Sequence, residues 1–442
     1  MTSPKTETAA AQQPHEDTPH RENAGGTDRP MRPFWILWTG QAVSLIGSSA
    51  VQFAIIWWLT RETGSAAVLA TATFVGLFPQ IALGPFIGTL VDRWNRKVVM
   101  FAADAAVAVA SIPLALAFYL GEPRIELVML ILFVRAMGSA FHSPAMVAST
   151  SLMVPERHLT RIQGLNQSMQ GGLAIVTAPL GALLVTMLPM AGVLLVDVLS
   201  ALVALIPLMF IRVPQPVAVT VSAGTRIVSV WRDTRAGFAY LRDRTGHMGL
   251  VLMGAAINLC LVPAFALMPI LVAKDLGGTA MQLGWMNISL GIGMLVGGIL
   301  LGAWGGFSRR ILTSLVALIG MGCAVLLLAI PSGTVILALA AMLLVGFMVP
   351  LVNGPIHAIL QATVDPAYQG RIFALIGSLA GATIPLGLLI AAPVADMFGV
   401  RAWYGLGGMA CLAMGIMAFM VPAILKIEGS TQAPAEPEAS FT

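Results

Sequence analysis

Twelve stretches of this chain are long and apolar enough to lie across hydrocarbon, and no other property limits its fold so strongly. A helix of about 20 apolar residues crosses a bilayer core of about 30 Å. Such runs fall at 34–59, 66–91, 98–120, 127–149, 166–188, 191–212, 248–273, 280–304, 311–330, 335–359, 372–395 and 401–425. Their hydrophobicity is helical rather than alternating, which predicts a bundle and not a barrel. Charged residues make up only 10% of the 442, well below the share of about a quarter found in soluble domains. The expected class is therefore an all-α membrane protein with twelve transmembrane helices, multi-pass in the plasma (inner) membrane. Cys260, Cys323 and Cys411 all lie inside the runs, too scattered to bind a metal, and are expected to act as small packing residues.

The ends are of different composition. Residues 1–33 are rich in Thr, Gln, Pro, Glu and His, contain no apolar stretch that would serve as a signal peptide, and read as a disordered tail; 426–442 reads the same way. Translation from Met31 is the alternative to a tail beginning at Met1. With the N-terminus placed inside, nineteen Lys and Arg fall on inner segments and four, Arg61, Arg124, Lys274 and Arg401, on outer loops. That bias predicts both termini in the cytoplasm. It also accounts for the formal charge of +4, so no nucleic-acid partner is expected.

The chain repeats itself. "TAPLGALL" at 177–184 matches "TIPLGLLI" at 383–390, "RIQGLNQS" at 161–168 resembles "RIFALIGS" at 371–378, and "HSPAMVA" at 142–148 corresponds to "NGPIHAI" at 353–359. The predicted organisation is a six-helix bundle over 34–212, a cytoplasmic linker over 213–247 and a second six-helix bundle over 248–425, pseudo-symmetric around a midplane cavity. Pro179 with Gly181 and Pro385 with Gly387 occupy equivalent positions and predict matched kinks at the interface between halves. Gly293 with Gly297, and Gly298 with Gly302, have the four-residue spacing of closely packed helices.

Charge is concentrated in "LVDRWNRK", 90–97, between the second and third runs. Read from Gly88, "GTLVDRWNRK" resembles the loop signature of the major facilitator superfamily, with Asn95 where a second glycine is usual. Asn is the next residue best able to take a left-handed turn. Gly88 and Asp92, with Arg93, Arg96 and Lys97, are expected to form a gating loop whose contacts hold the cytoplasmic side shut when the halves meet. Topogenic charges at a solvated helix end are the simpler alternative. "WTGQAVSLIGSSAVQFAIIWWLTRETGSA" (38–66), "LGPFIGTLVDR" (83–93), "FVRAMGSAFHSPA" (133–145), "LVDVLSAL" (195–202) and "GRIFALIGS" (370–378) together look like the macrolide-efflux branch of that superfamily, among the drug:proton antiporters. The resemblance implies the major facilitator fold and export of a small amphiphilic drug driven by the proton motive force, with protons as the second partner and no bound cofactor. Siderophore or lysolipid transport uses the same scaffold.

Charges inside the runs are costly, about 2.5–3.5 kcal/mol each at mid-bilayer, and persist only with a partner, water or a function. Asp104, Arg135 and Asp197 are the three. At 1.5 Å per residue Arg135 and Asp197 lie at a similar depth, roughly 20 Å, and Asp104 at roughly 9 Å. Arg135 with Asp197 is therefore the expected pair, Asp104 a second acceptor that Arg135 could visit, and one of the acids the proton carrier. A permanent structural bridge is the competing explanation. Gln41, Asn166, Gln170, Asn258, Asn287 and Asn353 are expected to line the substrate cavity. His142 and His357 read as packing residues, Trp57, Trp58 and Trp403 as interfacial anchors, and Met253, Met268, Met286 and Met294 as either pocket or core. No GxxxxGK[ST] or HExxH motif occurs, which argues against an enzyme or an ATP-driven pump. A receptor that binds ligand without moving it predicts no dependence on a gradient. The molecule is expected to work as a monomer.

Overall fold

The computed structural model describes residues 31–121, 123–213, 238–242, 244–331, 334–364 and 366–429. Within its helices a number of side-chain positions lie outside that description, among them Gly88, Asp92, Arg93 and Gln170. Twelve long helices follow in order: α1 (Arg32–Thr63), α2 (Ala66–Arg93), α3 (Arg96–Leu120), α4 (Ile125–Met153), α5 (Glu156–Met187), α6 (Met190–Phe210), α7 (Thr245–Ala266), α8 (Ala280–Trp304), α9 (Arg310–Leu328), α10 (Val335–Thr363), α11 (Pro366–Phe398) and α12 (Val400–Phe419). Among the described residues, eleven are long and apolar enough to span a membrane; in α5 the apolar part is Ile175–Met187. The linker expected at 213–247 lies largely outside the described residues.

Local chemistry sets the helix ends. Gly64 closes α1 at φ 56°, a left-handed position that suits glycine. Ser65 opens α2 by accepting from Val68 N. Thr279 and Gln282 form a capping box on α8. Asn95 does not take the left-handed turn that its place in the loop suggested: at φ −65° and ψ 110° it is the N-cap of α3, accepting from Lys97 N and Val98 N at 3.1 and 3.4 Å. An Asx side chain at a helix start binds free amides more favourably than it pays for a strained backbone.

The seventh run is not one continuous helix. Pro263 and Pro269 lack the N–H that would continue the ladder, so α7 stops at Ala266. The chain then passes through a short turn, Met268–Ile270, into a π-turn, Leu271–Asp275. Trp403 and Tyr404 of α12 stabilise this broken region, donating to Cys260 O and Ala264 O at 3.0 and 2.7 Å. Trp403 and Trp57 are therefore buried packing residues rather than interfacial anchors. Trp58 sits edge-on to Phe118.

Packing follows the repeat. α1 packs on α5 and α6, α3 on α4 and α6, and α2 on α4; α7 packs on α11 and α12, α9 on α10 and α12, and α8 on α10. Adding six to each label in the first set generates the second, which is the pseudo-twofold relation between halves. Gly181 and Gly387 confirm the equivalence and correct their expected role. A Cβ on Gly181 would lie 2.6 Å from Ala50 O of α1, and one on Gly387 2.5 Å from Leu259 O of α7. Both glycines pack inside their own halves. Pro179 faces across, its Cα 3.3 Å from a Cβ built on Gly284 of α8. Of the two glycine pairs in α8, Gly293 and Gly297 meet the α10 backbone, at Leu343 O and Phe347 O, whereas Gly298 and Gly302 face open space. Outward, α6 presents Leu199, Ile206 and Phe210, an exterior suited to hydrocarbon.

The halves meet through α2 with α11 and α5 with α8. We call the side holding Met31 and Gly429 the terminal face and its opposite the far face. On the far face Asp396 of α11 reaches the start of α2, where its Oδ1 accepts from Ala66 N at 2.9 Å and its Oδ2 from Ala67 N at 3.2 Å. A carboxylate there satisfies two of the orphan amides and complements the helix dipole. Ala70, Leu388 and Ala392 pack just beneath. Gly291 of α8 meets Ile175 of α5 about midway, and toward the terminal face added Cβ atoms at Gly172, Gly298, Gly302 and Gly377 would meet nothing within 4 Å. The halves are thus joined on the far face, whereas the side chains of α2, α5 and α11 toward the terminal face lie largely outside the description.

Candidate functional site

Four helices of the first half bring the intramembrane charges together. Arg135 projects from α4 and pairs through Nη1 with Asp197 Oδ2 on α6. Nη1 also donates to Ser111 Oγ of α3 at 3.2 Å, and Nη2 to Ser48 O of α1 at 2.9 Å. Ser48 Oγ and Ser111 Oγ each donate to Asp197 at 2.7 Å. Asp197 is fully buried and Arg135 nearly so. A buried carboxylate held by a guanidinium and two hydroxyls is well satisfied as an anion. Removing either ion would strand the other in a medium that solvates charge poorly.

Asp104 stands apart from that pair. Gln41 Nε2 of α1 donates to its Oδ2 at 3.0 Å, and His142 Nε2 of α4 lies 3.6 Å from its Oδ1. The expected visitor, Arg135, is engaged elsewhere, and the neighbour is a histidine that its sequence position suggested was only a packing residue. Its helical register supplied the missing signal: His142 follows Arg135 by seven residues, two turns of helix, and so shares its face.

Both clusters border one cavity of about 530 Å³. Gln41, Ser48, Gln52, Asp104, Arg135 and His142 supply its polar wall, and Phe265 and Ala266 of α7, with Pro269 in the turn beyond it, close it from the other half. A second cavity of about 300 Å³ lies in the second half, bordered by Asn258, Asn353 and His357 among Met321, Val352, Ile356 and other apolar side chains. Phe265 lines both. Of the expected cavity residues, Gln41, Asn258 and Asn353 are on these walls. Asn166 instead accepts from Trp38 Nε1 at 2.8 Å and staples α5 to α1. Asn287 bonds to Leu283 O of its own helix at 2.9 Å, and the side chain of Gln170 lies outside the described residues. Met253, Met268 and Met286 are buried in the packed core. Met294 is 43% exposed on α8, and Met321 is the methionine on the second cavity's wall.

The surroundings of Gly88 and the side chains of Asp92 and Arg93, the centre of the expected gating loop, lie outside the description. Arg96 Nη1 donates to Ala148 O near the end of α4 at 2.7 Å, and Lys97 Nζ to Met209 O near the end of α6 at 2.8 Å. Cations at helix C-termini complement the dipole, and these two brace the terminal face of the first half.

Two pseudo-symmetric helical bundles, a cavity between them and buried charge on its wall define a membrane transporter fold. The Major Facilitator Superfamily model matches residues 37–384 and 248–440, and the chain belongs to that superfamily. It is 36% identical over 401 residues to Macrolide efflux protein A of Streptococcus pyogenes, covering 89% of this chain and 97% of that protein. It is 35% identical over 331 residues to Macrolide efflux protein A of Enterococcus faecalis, covering 74% of this chain and all of that one. Multidrug efflux pump Tap of Mycolicibacterium fortuitum is 26% identical over 395 residues, covering 86% of this chain and 94% of that one. Among solved structures, a bacterial homolog of the human lysosomal transporter Spinster, inward-facing and unoccupied, superimposes with TM-score 0.64 at 14% identity over 92% of this chain and all of that one. The peptide transporter POT does so with TM-score 0.66 at 12% identity, over 90% and 95%. At those identities the structures speak for the fold alone.

Proposed function

We propose that this protein exports macrolide-like amphiphiles across the plasma membrane in exchange for protons, its two halves rocking about a central cavity. The observation that carries the substrate class is the end-to-end match to Macrolide efflux protein A. The terminal face is cytoplasmic, by the distribution of Lys and Arg, so the Asp396 contacts hold the outer side shut in the described arrangement. Asp197 is held by Arg135 in it, as suits an exporter that has released its proton to the cytoplasm and is ready for drug. Opening outward exposes a carboxylate to the proton-rich side. Protonation removes the charge that holds Arg135, and the cavity's affinity for drug changes with it. A carrier of this kind needs surroundings that vary, because desolvation favours the protonated acid and a nearby guanidinium the ionised one.

Drug-driven proton flux in proteoliposomes tests the coupling. Erythromycin added against an imposed pH gradient is expected to move protons through the wild type, and Asp197→Asn or Asp104→Asn is expected to abolish that flux. Undiminished coupling in both variants overturns the carrier role, and transport indifferent to the gradient overturns antiport.

The rocking motion has its own test at the far-face seal. Asp396→Ala removes a carboxylate cap, a change of about 0.5–2 kcal/mol, with roughly a further 0.3–1 kcal/mol from the dipole. Loss of 1–2 kcal/mol corresponds to a five- to thirtyfold change in population. Spin labels at Val98 and Phe307, exposed positions on the terminal face of the two halves, should report a rise of that order in the short-distance, inward-closed population. An unchanged distance distribution means the seal does not set the resting state.

A further inference from the structure

We infer that the first-half cavity is the seat of a protonated amine, held by Asp104 and Gln41, and that the apolar body of the same substrate lies in the second-half cavity. The inference rests on the export proposed above and adds the chemistry of what is exported.

Asp104 and Arg135 border the same space, yet Nη1 and Nη2 of Arg135 bond to Asp197, Ser111 and Ser48, and its Nε, without a hydrogen bond among the described residues, makes none to Asp104. The charge of Asp104 is thus left to other partners. Gln41 Nε2 is committed to Asp104, which fixes the amide so that its Oε1 is the remaining acceptor. Gln41 is only 1% exposed, and among the described residues that Oε1 accepts no hydrogen bond. An unpaired buried acceptor costs about 1–3 kcal/mol, and here it lies beside a carboxylate on a cavity wall. Two acceptors, one of them anionic, meet at one place. Their complement is a cation that donates N–H.

His142 is the adjustable member. Its buried Nε2 is also without a hydrogen bond among the described residues and stands 3.6 Å from Asp104. A turn of its ring away from Oδ1 leaves that carboxylate to the ligand. The charged or titratable groups around Asp104 in this cavity are therefore His142 and Arg135, with Asp197 behind Arg135. Permanent cations without an N–H would satisfy the charge of Asp104 and leave Gln41 Oε1 unmet, so ammonium groups that carry N–H fit better than quaternary ones, a secondary ammonium supplying a donor to each acceptor and a tertiary one a single N–H for the two to share.

The second cavity has the opposite character. Met321, Val352, Ile356 and Leu360 make it mainly apolar, with Asn258, Asn353 and His357 as its polar contacts and no carboxylate on its described wall. Phe265, common to both spaces, offers a ring face at the junction. An amphiphile with an amine head and an apolar body matches the pair in one orientation, head toward α1 and α3.

Full-length protein in lipid nanodiscs can be tested with two matched probe pairs, erythromycin with its N-oxide, and N,N-dimethyldodecylamine with dodecanol. In each pair the first member carries a protonated tertiary amine near neutral pH and the second carries no net charge. A charge-assisted hydrogen bond predicts that wild type binds the amine of a pair at least about tenfold more tightly. Asp104→Asn should collapse that ratio toward one, Asp104→Glu should restore most of it, and Gln41→Leu should reduce it severalfold without removing a charge. Equal affinity within both pairs, or a full ratio in correctly folded Asp104→Asn, overturns the inference, as does failure of the wild type to bind any of the four. Preference within the dodecyl pair with no binding of erythromycin leaves the amine seat standing and removes the macrolide reading.

Discussion

Asp197→Asn should cost about 3–5 kcal/mol of stability, because it leaves the Arg135 guanidinium buried without its counter-charge. The loss should appear as a large fall in the thermal midpoint of detergent-solubilised protein, measured by fluorescence-detected gel filtration. Replacing both members, Arg135→Met with Asp197→Leu, should recover most of it, since removing a buried pair together is often neutral. The double variant also separates two roles that either single variant confounds. A folded double variant that moves no protons in response to drug makes the pair part of the coupling. One that regains both stability and coupled flux makes the pair a brace between α4 and α6, and the proton would then have to travel on Asp104.

Gly293→Leu should be as severe for a different reason. A Cβ at Gly293 would lie 2.1 Å from Leu343 O and 2.7 Å from Phe347 N, and one at Gly346 on the facing helix 2.1 Å from Leu290 O. Those atoms are backbone and cannot swing aside, so α8 and α10 would have to separate along their whole contact. Overpacking of this kind typically costs about 1–3 kcal/mol, and more where two helices share the strain. Gly298→Leu, on the same helix, should leave the midpoint near wild type because nothing lies within 4 Å of its added Cβ. Equal loss in both variants would mean that helix propensity, not the α8–α10 contact, explains the glycines.

That contrast also marks the limit of reading this fold from its sequence. Four-residue spacing identifies glycine pairs that permit close approach, and one α8 pair does pack in this way. It cannot tell which face has a neighbour, because that depends on where α10 lies. The spans themselves were legible because an apolar run of fixed length has few alternatives in a bilayer. Arg135 and Asp197 were legible because charge within such a run is rare and its depth follows from helical rise. Asp104 was found by the same rule but its partners were not: Gln41 and His142 come from other helices, and neither carries a fixed charge that would flag it. Asp396 gave no signal at all. Near the end of a span an acid reads as solvated, and its true partners, Ala66 and Ala67, lie about 330 residues away and bind through main-chain atoms that no side-chain pattern encodes. The broken α7 could have been anticipated from Pro263 and Pro269, whereas the burial of Trp57 and Trp403 depended on which helices flank them.

The Asp396 cap makes hydration part of the conformational balance. While the far face is closed, one carboxylate and two main-chain amides satisfy each other at an edge that solvent reaches, Asp396 and Ala67 being exposed. Parting α11 from α2 hands all three to water, so opening exchanges protein contacts for hydration and strands none of them. Conditions that withdraw water from that face then favour the closed far face without touching the cavity, its charges or its cargo.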